Sequence, residues 1–190
     1  MIIYLTNKTQ KVYGAPNIDE LPPDIRMISE AVIERESGDR LLEWGGKLFY
    51  FDGRKCIQLV NFASKLTLFF DIKKSEFGDI GNDAALYLMD IYDDDRKMKR
   101  LLERLFDEHP LCVFSKLTDK SIISTLNHTQ LYYADDGYLF YRYLRGGILH
   151  TREINKEINS NYLFTQKVGN KTDYYCSKER FKELLESRYR

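Results

Sequence analysis

Between residues 41 and 72 the chain reads LLEWGGKLFYFDGRKCIQLVNFASKLTLFFDI. Three apolar runs are separated by DGR and ASK. No other stretch limits the fold so strongly. Asp52-Gly53 is a tight-turn signal, because glycine accepts the positive φ that a two-residue hairpin requires. The spacing predicts three antiparallel strands near 41–51, 54–62 and 65–72. Trp44, Leu48, Phe49, Ile57, Leu59, Val60, Leu66, Leu68 and Phe70 are the candidate core. Gly45-Gly46 inside the first strand predicts a bulge or a close backbone approach.

The remaining elements arrange themselves around this meander. MIIYLT reads as a short strand whose Ile, Tyr and Leu suit a half-buried pleated surface. NKTQKVYG adds a helical turn ending at Gly14. Pro22-Pro23 opens a helix in which Ile25, Ile28, Val32 and Ile33 fall at helical spacing, and Ser37-Gly38-Asp39 ends it. In NDAALYLMDIYDDDRKMKRLLERLFDEHP, Leu86, Met89, Met98, Leu101, Leu102, Leu105 and Phe106 are also at helical spacing, and Pro110 closes the run. DKSIISTLNHTQLYYAD reads as a helix with Asp119 or Ser121 at its N-cap. After Asp136-Gly137, YLFYRYLR returns to strand or mixed character. SKERFKELLESRYR is a terminal helix opened by Ser177. The fold class is therefore α+β: an N-terminal antiparallel β-meander with helices packed on it, and a mixed C-terminal part ending in a helix. One domain over 1–190 is the economical division, with a C-terminal subdomain from about 111 as the alternative.

Several functions find no support in the residues. Cys56, Cys112 and Cys176 are odd in number and far apart, with no Cys-x-x-Cys for a zinc ribbon or a redox site. They read as reduced cysteines of a cytoplasmic protein. His109, His128 and His150 share no ligand spacing, so no metal is expected. No Gly-x-Gly-x-x-Gly, no P-loop and no nucleophile motif occurs, so no cofactor is expected. Asp93-Asp94-Asp95 could hold Mg²⁺ only if consecutive helical residues converged, and they point about 100° apart. Those acids read instead as a helix start that complements the dipole. No basic leader followed by an apolar run is seen. No window approaches the roughly 20 apolar residues that span a bilayer. No membrane partner is expected, and the Asn-x-Thr triplets at Asn7, Asn127 and Asn170 are chance matches.

Charge is balanced overall, 29 basic against 29 acidic residues, but not along the chain. Residues 137–190 hold 11 Lys and Arg against 6 Asp and Glu, a net of +5, and the preceding residues carry the opposing −5. Within the basic part, Tyr138, Tyr141, Arg142, Tyr143, Arg145, His150 and Arg152 interleave aromatics with cations. That mixture suits a protein interface, where Tyr and Arg are favoured anchors. It also suits phosphate contacts with base stacking. Arg145-x-x-x-x-His150 is in addition the spacing found in a family of bacterial toxin ribonucleases. There the motif lies at a helix end, and Gly146-Gly147 opposes a helix here. The bland reading is a Gly-Gly turn joining two segments.

Part of the chain resembles an uncharacterised bacterial family, a domain of unknown function. The family's opening M-I-x-x-L-T-x-K is matched by Met1, Ile2, Leu5, Thr6 and Lys8. Its Trp, apolar strand, basic turn and Val-Asn strand end are matched by Trp44, Leu48-Phe49, Arg54-Lys55-Cys56 and Val60-Asn61. KLTLFFDI also fits. TDKSIISTLNH looks like a degenerate Arg-Ser-x-x-Gly-x-x-Asn segment in which Ser124 replaces the glycine. The resemblance implies a fold class and a bacterial, phage or plasmid context, and carries no catalytic residue or reaction. Together these readings favour a non-enzymatic cytoplasmic protein that binds another protein, for example a mobile-element inhibitor of a host nuclease or defence system. Nucleic-acid binding through 138–152 comes second, and a ribonuclease using Arg145 and His150 third. Open edges of the meander would also allow a homo-oligomer.

Overall fold

The computed structural model describes residues 1–135, 138–168 and 171–190. The meander forms as its sequence predicts: β2 (Glu43–Phe51), β3 (Arg54–Asn61) and β4 (Thr67–Asp71) pair antiparallel. Asp52 and Gly53 take φ of 47° and 74°, the left-handed pair that a twisted two-residue hairpin needs. All nine predicted core residues are buried.

The opening strand β1 (Ile2–Leu5) is not at a half-buried margin. It runs parallel to β2 on one side and to β5 (Val113–Lys116) on the other. The sheet is therefore mixed, in the order β4-β3-β2-β1-β5. Ile2, Ile3 and Leu5 are fully buried because both faces of the sheet are covered. This also explains why the meander strands read as nearly continuous apolar runs rather than as alternating ones.

On one face, Ile3, Leu5, Trp44, Leu48, Leu59 and Phe70 pack against four helices: α1 (Asn7–Tyr13), α3 (Ile80–Ile91), α4 (Arg96–Glu108) and α8 (Ser177–Arg188). Gly14 closes α1 in the left-handed conformation, as its position suggested. The long run 82–110 is two helices. The acids 93–95 lie at their junction, and Asp95 caps α4 by accepting from the Lys97 and Met98 amides. The opposite face carries α2 (Pro23–Glu36), α5 (Lys120–Gln130, capped by Asp119), α6 (Tyr138–Arg142) and α7 (Thr151–Asn161). In α2, Ser29, Val32 and Glu36 face inward and Ile33 packs beside Val32, whereas Ile25 and Ile28 are exposed; only the C-terminal half of the apolar stripe read there is buried.

Gly45 and Gly46 mark a close approach without a bulge, since the pairing of β2 with β3 runs through them unbroken. A Cβ on Gly45 would stand 2.2 Å from Ile122 of α5, and one on Gly46 2.6 Å from Leu5. The segment read as strand or mixed in character is mixed: Tyr138–Arg142 form the single helical turn α6, and Leu144–Arg145 a two-residue strand. As a helical turn the segment presents Phe140 to the sheet. The helix drives it into an aromatic nest of Phe49, Phe51 and Phe69, with ring centroids at 5.8, 5.2 and 4.9 Å. Beyond the sequence reading lie β5, α7, and the ribbon of β8 (Leu163–Val168) and β9 (Lys171–Cys176). The Asp136-Gly137 turn read from the sequence lies outside the described residues.

The outer edge of the meander is covered by α7. Asn159 accepts from the Thr67 amide at 2.8 Å and donates to the Thr67 carbonyl at 2.6 Å. One turn earlier, Asn155 does the same for Phe69, at 2.7 and 3.1 Å. Two carboxamides four residues apart on a helix thus imitate a neighbouring strand, satisfying backbone groups spaced two residues apart on β4. The edge that seemed open for a second copy is occupied at these two residues.

Candidate interaction surface

The segment 138–152 sits at the N-terminal end of α7, over the β2–β3 hairpin. The backbone of Tyr138 opens α6, while its side chain lies outside the described residues. Because Phe140 is buried, Tyr141 and Arg142 on the same turn face outward. Tyr141 is 57% exposed, with its ring 4.8 Å from Phe51. The chain then forms a minimal hairpin of β6 (Leu144–Arg145) and β7 (Ile148–Leu149). Gly146 and Gly147 supply its turn with φ of 56° and 75°, which only glycine adopts at no steric cost. The bland reading of the two glycines is therefore what the backbone shows. Arg54 of the basic turn pairs with Asp71 at 3.0 Å and donates to the Gly147 carbonyl, anchoring this hairpin on the sheet.

The cations of the segment are all engaged. Arg142 meets Glu157 at 3.4 Å, and Tyr143 donates its hydroxyl to the same carboxylate. That hydrogen bond, together with partial burial, pushes the Tyr143 phenol above its ordinary pKa. Arg145 donates to Glu153, and His150 Nδ1 lies 3.5 Å from the other oxygen of that carboxylate. Arg152 pairs with Asp90 of α3 at 3.2 Å. The guanidinium carbons of Arg142 and Arg145 each stand 5.9 Å from the Tyr143 ring centroid. The structure thus brings Arg145 and His150 together, on a carboxylate that neutralises them. Two of the acids, Glu153 and Glu157, lie on α7; the third comes from the acidic part of the chain.

Exposed aromatic and aliphatic side chains extend this surface along α7. Ile148, Leu131, Tyr132, Leu163 and Tyr174 are each more than half exposed. Tyr132, Tyr133 and Tyr162 form a mutually contacting triad with centroids 5.0 to 5.3 Å apart. The triad lines a cleft of about 370 Å³ shared with Leu139, Arg142 and Glu157. The sequence reading stopped short of these residues. A signal for them existed, since eight of the 14 tyrosines fall between residues 132 and 175.

The three histidines occupy separate settings. His150 faces Glu153. His128 Nδ1 lies 3.1 Å from the Tyr162 hydroxyl. His109 lies 3.0 Å from Glu36 and 2.9 Å from Arg188. Among the described residues no three of His, Cys, Asp and Glu come together as metal ligands would. Cys56 is fully buried, and burial pushes its thiol up to about 12. No helix among the described residues is long and apolar enough to cross a membrane.

Among known families, the model described as Domain of unknown function (DUF6933) matches residues 2–180. No curated protein and no solved structure matches the chain.

Proposed function

The chain belongs to the family of this domain of unknown function, and from that premise we propose that it is a non-enzymatic, cytoplasmic binding protein whose partner is another protein. The observation that carries this reading is the surface along α7: exposed tyrosines and aliphatic side chains beside arginines that already hold their counter-ions. Aromatic anchors ringed by internally neutralised polar groups suit a protein partner. They suit a polyanion less, because phosphate binding depends on cations free to displace counter-ions from nucleic acid. Arg145 and His150, already held on Glu153, lend little to a ribonuclease. A mobile-element inhibitor of a host nuclease or defence complex is the concrete form we favour. It draws on the phage or plasmid context that the sequence resemblance implies.

Quantitative co-purification from a bacterial lysate tests the proposal, comparing the wild type with a Tyr132→Ser/Tyr141→Ser/Tyr174→Ser variant. All three side chains are more than half exposed, so the fold is expected to stand. A specific protein whose recovery falls at least about tenfold with the variant supports the reading. Equal recovery from both, or no retained protein at all, overturns it.

A further inference from the structure

At the other end of α7 a second cleft, of about 500 Å³, opens between α5, the β3–β4 turn and the β8–β9 ribbon. Lys65 comes from the turn. Ser121, Ser124, Thr125 and His128 come from α5, and Phe164 and Tyr175 from the ribbon. No carboxylate lines it among the described residues.

The presentation of Lys65 is unusual. Its backbone is left-handed at φ 62°, a conformation that costs a non-glycine residue about 1 kcal/mol. The surroundings enforce it. The side-chain oxygen of buried Asn61 accepts from the Ala63 amide at 3.1 Å and from the Ser64 amide and hydroxyl at 3.0 Å each. Asn61 Nδ2 in turn donates to the Leu41 carbonyl at 2.9 Å, and the Lys65 amide donates to the Asn61 carbonyl at 3.0 Å. Strained residues held this firmly concentrate at functional sites.

Lys65 also makes no ion pair among the described residues. Its side chain is partly buried, and among the described residues no carboxylate stands within ion-pair distance. Burial lowers its pKa, Arg40 lowers it further, and Asp119 offsets this in part. Asp119, the nearby acid, is shared between Arg40 at 3.5 Å and the Ile122 amide it caps at 3.0 Å. Donors line the same cleft: Ser121 and Ser124 are exposed, and their hydroxyls have no protein partner among the described residues. The ribbon contributes two aromatic rings to the lining, Phe164 and Tyr175, stacked on each other at 5.8 Å and 26°.

We propose that this cleft binds a small phosphomonoester carrying a planar ring, of mononucleotide size. The phosphoryl group sits against Lys65 and the Ser121 and Ser124 hydroxyls, and the ring lies on the aromatic wall. An ammonium with hydroxyl donors suits a phosphate as a point charge. An aromatic face accepts any base. The volume falls in the range of small-ligand pockets.

The test is calorimetric titration of the full chain with the ribonucleoside monophosphates, the matching nucleosides and inorganic phosphate. At least one monophosphate is expected to bind with a dissociation constant below about 1 mM. Nucleoside and phosphate alone should each bind more weakly. Lys65→Asn removes the charge and retains a side chain that tolerates left-handed backbone. It should weaken binding at least about tenfold, with circular dichroism unchanged. Should that variant unfold, Ser121→Ala/Ser124→Ala at exposed positions decides in the same way. The proposal is overturned by any of three results: no saturation with any monophosphate, wild-type affinity in the folded variant, or inorganic phosphate binding as tightly as the nucleotides. No partner protein enters this titration, so its failure leaves the protein-binding proposal standing.

Discussion

At the N-terminal end of α7, Arg142, Arg145 and Arg152 each pair with a carboxylate, whereas at its C-terminal end Lys65 makes no ion pair among the described residues. The first surface belongs to the part of the chain with net charge +5, the second cation to the part with −5. Local charge in sequence is thus a poor guide to where a free cation stands. On α7, Glu153 and Glu157 lie one turn apart and collect the arginines of the preceding segment, as helical spacing allows. Lys65 makes no ion pair among the described residues: Asn61 and Ser64 of its turn have no charge to offer, and Asp119, the nearby acid, holds Arg40 and the Ile122 amide.

Both surfaces rest on the attachment of α7 to β4, so the severest way to break the contrast is to loosen that helix. Asn159→Ala leaves the buried amide and carbonyl of Thr67 unpaired, and also the Ser177 hydroxyl that donates to Asn159 at 2.9 Å. A loss of about 3 kcal/mol is expected in denaturant unfolding, because buried polar groups deprived of partners cost most. Hydrogen exchange at the Thr67 amide should quicken with it.

A smaller effect compares two carboxylates of like company. Glu36 is held by Arg35 at 2.6 Å and by His109 at 3.0 Å, with its side chain fully buried. Glu153 is held by Arg145 and His150 but is about half exposed. Burial alone would raise the pKa of Glu36. The hydrogen bonds from the Met1 amine, Arg35 and His109 outweigh it and hold the carboxyl below its ordinary value of about 4.5. A depressed folded pKa gives stability that is fully present above the unfolded value and is lost as pH falls through the folded one. Glu36→Gln should therefore cost about 2 kcal/mol at neutral pH, and the difference from wild type should shrink as pH drops below about 4.5. Glu153→Gln should stay within about 0.5 kcal/mol across the same range. Equal costs at the two sites would show that burial is not what separates them.

The smallest effect sharpens the functional contrast. Glu153→Gln/Glu157→Gln releases Arg142, Arg145 and His150 while leaving the tyrosines in place. Fluorescence anisotropy at low salt should show the double variant binding a single-stranded oligonucleotide about tenfold more tightly than wild type, with a steeper salt dependence. Unchanged affinity would mean that the carboxylates do not restrain these cations.

Much of the sheet was legible in sequence because turns and strand patterns are local. Asp52-Gly53, Gly14, Asp119 and Asp95 each act within four residues of their own position. The surface along α7 was half legible: Tyr141, Arg142, Tyr143 and Arg145 stood out by type, whereas Tyr132, Tyr162 and Tyr174 lie in separate stretches of the sequence. TREINKEINSN offers only Ile154 and Ile158 as an apolar face, and its asparagines suit caps and turns better than a helix interior. Their role lies on β4, more than 80 residues away in sequence.

By itself the sequence determined the meander, its hairpin, the helix caps and the Gly-Gly turn, because φ preferences and side-chain periodicity act between near neighbours. Only the tertiary structure decided that β1 lies between two parallel partners, that α7 closes the sheet edge, and that the arginines of 141–152 are ion-paired while Lys65 makes no ion pair among the described residues. Those outcomes depend on which backbone groups and charges meet across space, and that is set by burying both faces of the sheet at once.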